Sequence, residues 1–89
     1  MAEEVVIFET EEVADRARVC SFLRELADKI ENNNVVLTSN GEETVLDIPD
    51  TVELEVKVEK ETSASGVEHQ LEVEIEGGEG EAGGRVSLG

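Results

Sequence analysis

Two stretches of the chain alternate apolar and charged residues almost without error: VELEVKVEK over residues 52–60 and VEHQLEVEIE over residues 67–76. Successive side chains on a strand point to opposite faces, so a period of two predicts strands. Val52, Leu54, Val56 and Val58 share one face of the first, and Leu71, Val73 and Ile75 one face of the second. Glu53, Glu55, Glu59, Glu72, Glu74 and Glu76 point the other way and form an acidic wall. The segment TSASG, residues 62–66, joins the two, and a four-residue loop over 63–66 sets Val58 opposite Leu71, Val56 opposite Val73, Leu54 opposite Ile75 and Lys57 opposite Glu72. A one-residue slip would set valines against glutamates, so the register is well determined. It also sets Glu55 opposite Glu74, a like-charge pair that destabilises unless screened.

Upstream, the period changes. Val5, Val6, Ile7 and Phe8 form a β-branched and aromatic run that predicts a first strand. From about residue 11 to about residue 31, Val13, Ala17, Cys20, Leu23, Ala27 and Ile30 recur at threes and fours, flanked by Val19, Phe22 and Leu26. This predicts a helix with one broad buried stripe, N-capped by Thr10, with Glu11 and Glu12 in its first turn. Glu12 with Arg16 and Glu25 with Lys29 stand at i,i+4 on the other side. Asn32, Asn33 and Asn34 end it, because asparagine tolerates the left-handed conformation. Between two apolar runs, Asn40-Gly41 is the dipeptide of a type I′ hairpin turn, and it sets Val36 opposite Val45 and Val35 opposite Leu46. Pro49 closes that strand.

The expected class is α+β: one helix on one face of a mostly antiparallel sheet, in the order β-α-β-β-β-β. It occupies residues 1–76 as a single domain. Residues 77–89, GGEGEAGGRVSLG, are glycine-rich and are expected to form a flexible, disordered tail.

Charge changes the picture of where such a fold can persist. The 89 residues carry 23 acids and 7 bases, a net charge of −16, with three lysines, Lys29, Lys57 and Lys60, and two aromatics, Phe8 and Phe22. At about 0.1 M salt the screening length is about 10 Å and neighbouring glutamates repel; at about 1 M it falls to about 3 Å. A halophilic, salt-rich setting with diffuse monovalent cations around the wall is therefore expected. Neither a basic n-region with an apolar stretch nor a run of apolar residues long enough to span a membrane is seen, so the expected location is cytoplasmic, with no membrane contact. Direct binding of nucleic acid is opposed by the charge, since no basic patch can collect counterion release.

The passage FLRELADKIENNN, the hairpin after it, then DIPDTVELEVKVEKE and LEVEIE, is similar to the amphi-Trp domain, a small domain common in haloarchaea. The likeness covers roughly residues 5–76 and implies the same fold and habitat. It carries over no catalytic residues. One departure stands out: the family is named for a tryptophan at the end of the last strand, whereas here Gly77 follows Glu76 and the chain has no Trp.

Candidate chemistry is sparse. Cys20 is the only cysteine and cannot form an internal disulfide; on the helix stripe it reads as a structural thiol. His69 is the only histidine and reads as a strand-end residue opposite Lys60, or else as a proton-transfer group acting with Cys20 or an acid. No D-x-D-x-D-G loop and no glycine loop entering a helix is found, so no metal or cofactor is expected. Carboxylates in one uniform wall lack the unlike environments that acid-base catalysis needs.

Three readings follow. The first is a non-catalytic protein-protein interaction module, using the glutamate surface or self-association through a sheet edge. The second is an acidic mimic of nucleic acid that occupies a basic protein. The third is a small ligand-binding or enzymatic domain with a pocket near His69.

Overall fold

The computed structural model describes residues 3–77 and 87–88, and it is of the α+β class. Its elements are helix α1 (Arg16–Glu31) and strands β1 (Val35–Ser39), β2 (Glu42–Leu46), β3 (Val52–Ser63) and β4 (Gly66–Gly77). The strands are all antiparallel and lie in two two-stranded sheets, β1 with β2 and β3 with β4, instead of a single sheet. The division falls at the link between β2 and β3. There the Ile48 N–H is taken by a side chain of the helix end and Pro49 has no N–H to give, so no ladder continues through. The chain correspondingly forms two compact units, Met1–Ile48 and Pro49–Gly89.

In the first unit, the expected strand over Val5–Phe8 is not formed. Val5, Val6 and Ile7 lie in no strand, and each is more than two-thirds exposed; only Phe8 is half-buried. β-propensity measures fit to a half-buried pleated surface, and without a neighbouring ladder it confers no structure. The helix also begins later than expected. Asp15, not Thr10, is its N-cap: the carboxylate Oδ1 accepts the Arg18 backbone N–H at 2.8 Å, and aspartate is the stronger capping residue. Glu12 therefore lies outside the helix and pairs with Arg18 at 3.0 Å instead of Arg16, while Val13 is fully exposed. Arg18 also lies over the Phe22 ring, 5.7 Å from its centroid.

The end of α1 is as the asparagine run predicts. Asn33 is left-handed at φ 48, its N–H donates to the Ile30 carbonyl at 3.0 Å, and the Asn34 N–H donates to the Lys29 carbonyl at 2.9 Å. That pair of bonds is a Schellman closure, with asparagine where glycine is more usual. The chain then turns straight into β1, which packs against α1.

Asn40 and Gly41 both take positive φ, 52 and 81, as a type I′ turn requires. The register sets Val35 opposite Leu46 and Val36 opposite Val45, as read from the sequence. Among the described residues the one buried apolar side chain is Val35, with Cys20, Leu26, Ile30, Leu37, Leu46 and Ile48 half-buried. The helix stripe is thus less covered than its periodicity suggests: Val19, Phe22 and Leu23 are exposed.

The second unit is a hairpin of two 12-residue strands with no bulge. Its register matches the expected one at Val58–Leu71, Lys57–Glu72, Val56–Val73, Glu55–Glu74 and Leu54–Ile75. The loop is tighter than expected. Pairing runs on to Ser63 opposite Gly66, which leaves Ala64 and Ser65 as the turn, and the Ser63 and Ser65 hydroxyls hydrogen-bond at 3.0 Å. Gly66, at φ 131, supplies a conformation that side chains rarely adopt. At the open end Gly77 stays within β4, and the space over its Cα is filled by the Pro49 ring. The expected flexible tail over 77–89 lies, apart from Gly77, Ser87 and Leu88, outside the described residues.

Candidate interaction surface

The six wall glutamates all belong to the β3–β4 hairpin, and its register brings them together in rows. Glu53 stands opposite Glu76, Glu55 opposite Glu74, Lys57 opposite Glu72, Glu59 opposite Gln70 and Glu61 opposite Glu68. Directly opposed side chains have Cβ atoms about 4.5–5.5 Å apart, so three of these five positions hold facing carboxylates. Five of the six wall glutamates are exposed, and Glu53, the second residue of β3, is half-buried.

Lys57 is the residue around which this surface is organised. Its Nζ lies 2.8 Å from Glu59 Oε1, two residues along the same face, while Glu72 faces it across the ladder. The hydrogen bond to Glu59, the charge of Glu59 and the charge of Glu72 together hold the ammonium above its ordinary pKa of 10.5. The sequence showed Lys57 facing Glu72 but gave no sign of the bond to Glu59, since i,i+2 neighbours on a strand share a face without any fixed contact. Gln70 adds a polar link: its Nε2 donates to Glu72 Oε1 at 3.0 Å.

The reverse side of the hairpin is apolar and also exposed. Leu54 is 53% exposed, Val58 66%, Leu71 67% and Val73 59%, so this side is no buried core. The ribbon therefore presents two unlike faces to its surroundings, and each strand offers a backbone edge 12 residues long.

The two residues singled out for chemistry fall in different units. Cys20 is half-buried on α1 as a free thiol; His69 is exposed on β4, opposite Lys60 as the register predicted. An open depression of about 320 Å³ lies between Val6–Glu9 and the residues of the first hairpin turn, Ser39, Asn40 and Glu42; neither Cys20 nor His69 lines it. Among the described residues, no group of three or more His, Cys, Asp or Glu side chains is arranged to hold a metal ion. Nor is any helix among them long and apolar enough to cross a membrane.

The family model of the Amphi-Trp domain matches residues 1–88 of the chain. No curated protein and no solved structure matches it.

Proposed function

The chain belongs to the Amphi-Trp domain family, and we propose that it serves as a small, salt-adapted, non-catalytic module for protein-protein interaction. The observation that carries this reading is the β3–β4 ribbon: twelve uninterrupted pairs, an exposed apolar side, an exposed acidic side and strand edges without proline or bulge. Such an edge is a template for a further strand, because its outward N–H and C=O groups are already aligned. Recognition by strand addition takes its affinity from the main chain and its selectivity from alternate side chains, so it needs no catalytic group.

The glutamate rows give the module its operating condition. Facing carboxylates at Glu53–Glu76, Glu55–Glu74 and Glu61–Glu68 repel at low ionic strength and are silenced at molar salt. A mimic of nucleic acid would use the same rows, but its attraction to a basic partner would be silenced by that salt as well. Lys57 and its bond to Glu59 also break the row at its middle.

Affinity capture with the full chain at molar KCl, followed by size-exclusion chromatography of what is retained, tests the module reading. A stoichiometric complex or self-association is the expected result. A monomer that retains nothing would sink the reading, and a complex that forms only below about 0.2 M salt would favour the mimic.

A further inference from the structure

We infer that the strand which adds to this ribbon is the β3 strand of a second copy of the chain, paired antiparallel about a two-fold axis at Glu55; this rests on the module reading above. Two observations lead there. The first is energetic. A two-stranded hairpin is marginal alone, and a sheet with an apolar side needs three or more strands to stand by itself. Among the described residues β3 pairs with β4 alone, so its other edge is open over Val52–Ser63.

The second observation is charge complementarity, which selects the edge and, together with the match of apolar residues, the register. On β4 the charged side of the strand carries Glu68, Gln70, Glu72, Glu74 and Glu76 and no base, so any self-pairing of β4 sets acid against acid or Gln70. On β3 the same side carries Lys57. With Glu55 opposite its own copy, Lys57 meets Glu53, and the next pair outward on that side is Glu59 with Thr51. Leu54 meets Val56 and Val52 meets Val58, so the apolar side is matched throughout. Lys60, within β3, meets Asp50, two residues before that strand begins. Every opposite-charge contact occurs twice by symmetry, against one facing pair of Glu55 side chains. With the axis at Val56, Lys57 meets Glu55 but Glu53 meets Glu59, each twice; with it at Leu54, Glu53 meets Glu55 twice and Lys57 meets Thr51; with it at Glu59, Lys57 meets Glu61 but Val58 is set against Lys60.

An ammonium has three donors, so Lys57 can keep Glu59 of its own strand while reaching Glu53 of the copy. The product is a four-stranded sheet, β4-β3-β3-β4, with an apolar side twice as wide and an acidic side bridged at its centre. An isologous interface of this kind closes on itself and does not propagate.

The test uses the full chain at molar KCl and again at about 0.15 M KCl, where facing charges are only partly screened. Multi-angle light scattering of the unaltered protein is expected to give twice the 9.6 kDa chain mass. At the lower salt Lys57→Glu is expected to weaken the dimer by about tenfold or more, since two attractive pairs become repulsive, and Lys57→Gln by less; at molar KCl both effects shrink. The double reversal Glu53→Lys/Lys57→Glu is expected to restore it. In a Cys20→Ser background, Glu55→Cys is expected to oxidise to a covalent dimer, because residue 55 faces itself, whereas Glu59→Cys is not. Circular dichroism confirms that each variant is folded.

A dimer indifferent to the charge reversals and uncross-linked at residue 55 overturns the proposal in favour of contact through the apolar side. A chain that stays monomeric at millimolar concentration yet retains another protein overturns self-pairing and leaves the module reading standing. A monomer that retains nothing defeats both.

Discussion

Asn33 donates from Nδ2 to the Asp47 carboxylate at 2.9 Å and accepts the Ile48 backbone N–H on its Oδ1 at 3.0 Å. One side chain thus joins the end of α1 to the end of β2, while its own backbone holds the left-handed conformation that closes the helix. Asn33→Gly keeps that conformation and loses both bonds; the expected loss is about 1–2 kcal/mol. Asn33→Ala loses the bonds and adds left-handed strain, for about 2–4 kcal/mol in all. Urea midpoints of the two variants separate the contributions, and equal midpoints would show that the backbone conformation is free of strain.

The Asn40-Gly41 turn is expected to resist substitution for backbone reasons alone. A Cβ at Gly41 would meet nothing within 4 Å, yet the residue sits at φ 81. Gly41→Ala should therefore cost about 1 kcal/mol through strain and not through a clash. Loss of cross-strand proton contacts between Val36 and Val45 would be the local readout.

Asp15→Ala removes the acceptor of the Arg18 N–H and is expected to lower stability by about 1 kcal/mol. Asp15→Asn should restore most of it. A helix that starts at Thr10 would leave both variants without effect.

Salt should act most strongly where carboxylates face one another. At about 0.1 M KCl, Glu76→Lys, which puts a cation opposite Glu53, is expected to stabilise the chain by about 0.5–1 kcal/mol. At molar KCl the same change should be nearly neutral. Paired thermal melts of parent and variant at the two concentrations check this, and an unchanged difference would show that screening is not the cause.

Lys57 gives the pH dependence. Its folded pKa is raised above 10.5, so its contribution to stability is full below that value and is lost as pH rises through the folded pKa. Removing the first cause of the shift, by Glu59→Gln, should bring the titration of the Lys57 side chain back toward its ordinary value, as followed by NMR. Glu72→Gln should lower it by less.

Both hairpins were legible in the sequence because two local rules agreed at each. Asn40-Gly41 demands positive φ at two successive residues, and the alternation of Val, Leu and Ile with Glu excludes any one-residue slip. The family likeness rested on the same passages and was borne out over residues 1–88. The helix start is not legible in the sequence, because Thr10 and Asp15 are both capping residues and the periodicity runs on through Val13, which the folded chain leaves in solvent. The run Val5–Phe8 has strand composition but no ladder to join, and a sequence does not say how many strands one sheet will hold. Of the surface, the facing glutamates follow from register arithmetic, whereas the Lys57–Glu59 bond depends on how one flexible side chain settles.

The order of charges along the β3–β4 ladder also dictates how it comes apart. Nearest the turn, Ser63 with Gly66 and Thr62 with Val67 are uncharged, and closing a tight turn takes microseconds. Pairing then advances past Glu61 and Glu68, is held at Lys57 with Glu72, and ends on two consecutive wall positions of facing acids, Glu55 with Glu74 and Glu53 with Glu76. The repulsion is thus concentrated at the open end, farthest from the nucleus. As salt is withdrawn the hairpin should fray from Val52 and Gly77 inward while the turn stays closed, so amide protection would retreat along the ribbon pair by pair.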